Sequence, residues 1–179
     1  MSFKEIGIEE LEINPMTMIG GDWWLISAGN EQNGYNAMTA SWGHLGAIWE
    51  RPEGKAHMGL PTACVYLRPQ RYTKEYLERE DIFTLSVFES NHKRALGYLG
   101  SHSGRNEDKI ANANLTPVFD QGTIYYEQAK MVFVCKKIYN APLQESGFVD
   151  TSLVENNYPK KDFHEMYIGE IVKVLVKND

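Results

Sequence analysis

Two short stretches of this sequence carry residue types at spacings that suit ligand chemistry. In Asn36-Ala-Met-Thr-Ala-Ser-Trp-Gly-His-Leu-Gly46, Thr39 and Ser41 lie two apart, so an extended strand projects both hydroxyls from one face. Gly43 and Gly46 keep the approach to that face open. Further along, Arg68-Pro-Gln-Arg-Tyr-Thr73 brings two guanidinium groups and a hydroxyl to the junction of a strand and a predicted helix. Hydroxyl-bearing strand residues beside a compact cationic turn suit a flat, polar ring system that carries a phosphate.

Each stretch also has a plainer reading. The first would serve equally as a half-buried barrel strand, because Thr and Ser suit that surface. The second could be a solvated turn with exposed charges. Its functional reading has a mechanism: free N–H groups and the dipole at a helix start favour an anion, and Arg71 adds bidentate, charge-assisted hydrogen bonds. Arg68, at the strand end, could reach the same anion or the linker behind it. A third stretch, Gly100-Ser-His-Ser-Gly-Arg-Asn-Glu-Asp-Lys109, is either a helix-terminating loop or a polar flap over the phosphate end through Ser103, Gly104 and Lys109. Flavin mononucleotide (FMN) is the ligand this combination suits first.

The elements that must position these residues read mostly as strands. Apolar runs at residues 22–28, 62–67, 82–88, 130–139 and 167–177 are β-like, and the last is apolar on both faces, as expected for a strand covered on both sides. In the 82–88 run, Phe83, Leu85 and Val87 share one face, with Thr84 and Ser86 on the other. The polar residues 29–34 form a turn into the strand from about Asn36. Helical signals are fewer: Thr73 is placed to cap residues 74–80 and Asn91 to cap residues 92–99, with a shorter helix around 106–113. The polar segment 145–162, containing Pro159, is expected to wrap the surface. Strands with a few short helices, without repeats or a domain boundary, imply one mainly β (α+β) barrel-like domain over residues 1–179.

Composition narrows the function. The chain has 42% hydrophobic and 23% charged residues, as an ordinary globular protein does, and its net charge of −6 argues against a nucleic-acid partner. Cys64 and Cys135 lie far apart in apolar runs, with no CxxC or Cys/His metal spacing, so both read as buried thiols and no metal is expected. There is no GxGxxG fingerprint, P-loop, GxSxG elbow or zincin motif. The N-terminus has no apolar leader and no run is long enough to span a membrane, so a cytoplasmic setting without membrane contact is expected.

Taken in order, these pieces resemble the flavin reductase-like family, whose members bind FMN in a split β-barrel, and most closely its flavoredoxin-like branch. The resemblance rests on Asn14-Pro15, Asn36-Ala-Met-Thr-Ala-Ser-Trp-Gly43, Trp49, Arg68-Pro-Gln-Arg-Tyr-Thr73, Phe83-Thr-Leu-Ser-Val87 and Leu99-Gly-Ser-His-Ser-Gly-Arg105. It continues through Asp108-Lys109, Cys135-Lys-Lys-Ile-Tyr139 and Asp162-Phe-His-Glu-Met-Tyr-Ile-Gly-Glu-Ile171. It implies a homodimer with FMN near the subunit interface. Asn36, Met38, Thr39, Ala40 and Ser41 would then line the isoalloxazine and ribityl chain. Arg68, Arg71 and Thr73 would hold the phosphate, helped by Ser103 and Lys109. His164 matches a late histidine near the flavin or nicotinamide, and would contact substrate.

The implied function is an FMN-dependent oxidoreductase that passes electrons from NAD(P)H through FMN to flavin, ferric or other acceptors. A flavoredoxin-like carrier loaded by a redox partner protein, and a non-enzymatic flavin- or ligand-binding barrel, are the alternatives. No side chain is required as a general acid, so no catalytic residue is assigned. Trp42 and Trp49 are expected to fill the core, or else to stack near the ring. Residues 52–61 read as a local insertion at the pocket mouth, where His57 and Met58 could approach a ligand. The last strand ends close to the C-terminus, so no appended relay domain is expected.

Overall fold

A computed structural model describes residues 2–52 and 59–178; His57 and Met58 lie outside them. Among the described residues there are ten strands: β1 (Phe3–Ile6), β2 (Trp24–Asn30), β3 (Gly34–Ala40), β4 (Gly43–Ile48), β5 (Leu60–Leu67), β6 (Ile82–Val87), β7 (Pro117–Asp120), β8 (Thr123–Tyr126), β9 (Met131–Pro142) and β10 (Glu165–Lys177). The helices are α1 (Tyr72–Arg79), α2 (Lys93–Ser101), α3 (Lys109–Asn112) and α4 (Ser152–Asn157). The main sheet runs β3-β2-β6-β9-β10-β5-β4, with β1 also paired to β10, and β7-β8 form a separate hairpin.

The connection between β3 and β4 determines the architecture. These strands sit at opposite ends of the sheet order, yet only Ser41 and Trp42 separate them. In a flat sheet, six spacings of about 4.8 Å would hold them roughly 29 Å apart. Three Cα–Cα steps span only about 11 Å. The sheet must therefore curl until its two edges meet, which makes it a barrel with a seam at Ser41–Trp42. Two irregularities in the β9–β10 register, between Ile168 and Gly169 and between Ile171 and Lys173, help β10 bend. The 36–46 stretch is thus two strands broken at the seam, one paired to β2 and the other to β5.

Alternation along the strands produces two cores. Trp24, Ile26, Met38, Phe83, Leu85 and Phe133 point into the barrel, where Leu77 of α1 joins them. Leu25, Ala37, Val132 and Val134 point outward and are covered by Leu96 and Leu99 of α2 and by Tyr126 of β8. Thr84 and Ser86 are buried on this second face, and the Thr84 hydroxyl donates to the Ile124 carbonyl.

Several local expectations need correction. Thr73 does not cap α1: Arg71 occupies the cap position, and the Thr73 hydroxyl accepts a hydrogen bond from Asn36 instead. Asn91 does not cap α2, because a 3₁₀ turn at Ser90–His92 leads into a helix that runs on through Gly100. Trp42 and Trp49 are 45% and 46% exposed, so neither fills the core. Cys135 is buried and burial pushes its thiol up, whereas Cys64 is only partly covered. Segment 145–162 wraps the barrel as expected, but buries Val154 and Tyr158 in doing so.

The seam also requires a residue without a side chain. A Cβ on Gly43 would run into the Trp24 ring and come within 2.8 Å of the Cys64 carbonyl oxygen. Gly43→Ala should therefore lower unfolding free energy by about 1–3 kcal/mol in denaturant melts. Gly46→Ala, with nothing within 4 Å of the new methyl, should change it by no more than about 0.5 kcal/mol.

Candidate functional site

Three cavities lie along the seam and share boundaries. A polar one of about 260 Å³ is bounded by Asn36, Arg71, Thr73, Ser103 and Lys109. A middle one of about 210 Å³ holds Thr39 and Ser41 against Gly97 and Gly100 of α2. An apolar one of about 760 Å³ extends from Ser41 and Trp42 to the 143–158 segment. Ser101 borders the first two and Ser41 the last two, so they form one track along the open edge of the barrel.

The polar end is held by cations anchored on backbone. Arg71 donates from Nη1 to the Gly100 carbonyl at 2.9 Å. Lys109, 4% exposed, donates to the Leu99 and His102 carbonyls at 3.0 Å each. An ammonium has three N–H donors, so one remains for the cavity. Burial, together with the Arg71 charge, lowers the Lys109 pKa to about 8. Nearby Glu107 is taken up by the Tyr98 hydroxyl and the Asn112 amide. Asn36 donates from Nδ2 to Thr73 Oγ1 at 2.9 Å, tying β3 to the start of α1. Gly104 packs directly on the Asn36 side chain, where a Cβ would collide with Oδ1. Arg105 fastens this loop to α1, pairing with Glu75 and lying over the Tyr72 ring with its guanidinium carbon 4.4 Å from the ring centre.

The middle section is built from close helix–strand contact. Thr39 Oγ1 donates to the Leu96 carbonyl at 2.6 Å, so its hydroxyl hydrogen is committed to α2. Trp23 forms the outer wall. It follows a π-helical turn at Thr17–Asp22 and has φ 71°, ψ 157°, a strained backbone for a bulky residue. The Lys93 ammonium sits 3.3 Å from the centre of its ring.

Near the apolar end, His164 is 9% exposed, tilted against Trp42 with ring centres 4.9 Å apart. Its Nδ1 lies 2.9 Å from the Tyr158 hydroxyl. Burial first, and then the Arg68 and Arg71 charges against the opposing Asp162, lower its pKa to about 4. The imidazole is therefore neutral near pH 7. We assign the Tyr158 O–H as donor to Nδ1, which leaves the ring proton on Nε2.

Eight of the residues predicted from sequence to bind the cofactor thus lie along the track: Asn36, Met38, Arg71, Thr73, Ser103 and Lys109 at the polar cavity, and Thr39 and Ser41 beyond it. Ser41 joins the middle to the apolar cavity. Ala40 instead faces the barrel core. The structure does not bring Arg68 to the polar cavity. It forms a 2.8 Å ion pair with Asp162, donates to the Asn157 and Asp162 carbonyls, and lies over the Tyr158 ring. Sequence reasoning missed Trp23, Tyr72, Gly97 and Ser101. Tyr72 stood inside a motif already read, and Gly97 needed only the helical spacing from Gly100. Trp23 gave no signal beyond its neighbour Trp24.

Among the described residues, no cluster of His, Cys, Asp or Glu could hold a metal, and no helix is long and apolar enough to cross a membrane. A family model for the flavin reductase like domain matches residues 58–179, and the chain belongs to the flavin reductase-like family. A search among curated proteins found no significant match. Among solved structures, the flavoredoxin of Desulfovibrio vulgaris (Miyazaki F) is 25% identical, with a TM-score of 0.62 over 87% of this chain and 69% of that one. An FMN-binding domain of a flavin reductases-like enzyme from Shewanella baltica OS155 is 17% identical, with a TM-score of 0.65 over 98% and 77% of the two chains. An FMN-binding protein from Thermus thermophilus, solved with p-hydroxybenzaldehyde, is 20% identical, with a TM-score of 0.62 over 88% and 73%. The fold is the split barrel of these FMN-binding proteins.

The contacts of Arg68 predict a structural effect. Arg68→Ala and Asp162→Ala should each loosen segment 143–164, seen as faster proteolysis there, with a small fall in melting temperature. The double variant should cost less than the sum of the two.

Proposed function

We propose that the track binds FMN, with its phosphate in the polar cavity, its ribityl chain along Thr39 and Ser41, and its ring towards Trp42 and His164. One observation carries this reading: Arg71 and Lys109 converge on a cavity where neither forms an ion pair among the described residues, and that cavity continues into apolar space. A dianionic phosphate on an otherwise apolar and hydroxyl-rich molecule matches that sequence of surfaces. Thr73, Asn36 and Ser103 complete the donors around the phosphate, and Met38 and Ala40 form the strand behind it. Arg68 adds positive potential from beyond the cavity while holding the 157–162 segment.

Bound FMN supplies hydride-accepting and electron-releasing chemistry. The chain orients it, keeps water from one face and presents an N–H from neutral His164. On this reading the protein is an oxidoreductase that takes electrons from a reduced nicotinamide and delivers them to flavin, ferric or other acceptors. We also propose that the chain forms a homodimer, because Ile48, Trp49, Tyr139 and Val172 leave apolar surface uncovered.

A flavoredoxin-like carrier is the second reading. It is favoured by the apolar cavity, whose lining among the described residues contains no Lys or Arg to meet the pyrophosphate of NAD(P)H. NAD(P)H oxidation by purified protein with added FMN separates the two: turnover supports the reductase, and its absence in a yellow, FMN-loaded protein supports the carrier. A colourless protein that does not quench FMN fluorescence would rule out both.

Flavin titrations test the placement of the phosphate. Arg71→Ala should weaken FMN binding by about 1.5–3 kcal/mol and riboflavin binding much less; equal losses would place Arg71 away from the phosphate. The state of Lys109 adds a pH dependence. Its proton is present below pH about 8 and lost above it, while a bound phosphate favours the charged form. FMN affinity should therefore fall as pH rises through 8, by up to about tenfold per unit, and Lys109→Met should flatten that slope.

A further inference from the structure

The apolar cavity beyond Ser41, about 760 Å³, is far larger than the two that accompany it. Small-molecule sites span about 300–1,000 Å³. Among the described residues, no Asp, Glu, Lys or Arg lines it. Its walls are flat and apolar: Trp42, Tyr66, Phe148 and Tyr158, with Leu45 and Leu153. Its few polar groups are largely occupied. The Tyr66 hydroxyl lies 3.4 Å from His44 Nδ1, Tyr158 is joined to His164, and the Asn157 amide donates to the Leu153 carbonyl at 2.9 Å. Trp42 and Leu153 are both half-exposed, so the cavity opens to solvent.

An ion entering this space would lose part of its water and meet no countercharge among the described lining residues, the Arg68 guanidinium over the Tyr158 ring being paired with Asp162. A flat, neutral molecule would keep its stacking with the aromatic walls and lose little hydration. We infer that this cavity binds an uncharged aromatic molecule of the quinone class. The binding claim rests on the lining alone. Its role as electron acceptor rests on the proposed function, because Ser41 bounds both this cavity and the track. Reduction would convert the quinone to its hydroquinone with two electrons and two protons. The electrons and one proton derive from the hydride of the reduced nicotinamide, which leaves oxidised, and the second proton comes from water.

The test compares two probes of one shape and different charge, anthraquinone-2-sulfonamide and anthraquinone-2-sulfonate. Each is titrated against the purified protein by tryptophan quenching and calorimetry, with FMN titrated on the same preparation. The sulfonamide should bind at least about tenfold more tightly than the sulfonate, and Leu153→Asp should reduce its affinity by a similar factor without shifting the melting temperature. Equal affinities for the two probes would overturn the inference. So would an absence of sulfonamide binding by protein that does bind FMN, and the flavin reading would survive that result. Selective sulfonamide binding by protein that fails to bind FMN would have the opposite meaning, keeping the cavity's ligand class and removing the flavin.

Discussion

The rest of the molecule depends on the link between β3 and β4 through Ser41 and Trp42. Because the link is so short, the two ends of the sheet must be drawn together, and the barrel closes around Trp24, Phe83 and Phe133. Because the joined strands pair with different neighbours, closure leaves an open edge rather than a continuous ladder. The three cavities lie along that edge. The ligand track is therefore a product of how the sheet closes, and the helices line it as they cover the barrel.

Charge divides the track into regions. At one end two cations are held on backbone carbonyls; at the other, no Asp, Glu, Lys or Arg among the described residues borders the space. Arg68 belongs to neither. It joins the end of β5 to the wrapping segment, and its charge helps keep His164 neutral. Two arginines three apart in sequence thus serve different purposes, because Arg71 sits at the start of α1 while Arg68 remains on the strand side, within reach of Asp162.

Much of this was legible in the sequence. β-Branched and aromatic runs gave most strands to within a few residues, and the Arg-Thr turn and the loop ending at Lys109 meet at one cavity. What escaped was set by tertiary contact. The Thr73 hydroxyl could have capped its own helix, but Asn36 lies 2.9 Å from it across the fold. The break at Ser41 was hidden because the residues on either side both read as strand. The β7–β8 hairpin turns on Gln121 and Gly122, both at positive φ, and a Gln-Gly pair is a weaker turn signal than Asn-Gly. Segment 145–162 read as polar although Val154 and Tyr158 are buried, since two anchoring residues among many polar ones leave no period to detect.

Lys109 illustrates how early a recognition surface can be prepared. A free lysine samples many rotamers, and a ligand that captures one must bear the loss of that freedom. Here two backbone carbonyls have already immobilised the side chain as the chain folds. The same contacts satisfy carbonyls at the end of α2, so the ordering that prepares the anion site also secures the helix terminus. Affinity at that end of the track is thus partly settled during folding, before any ligand arrives.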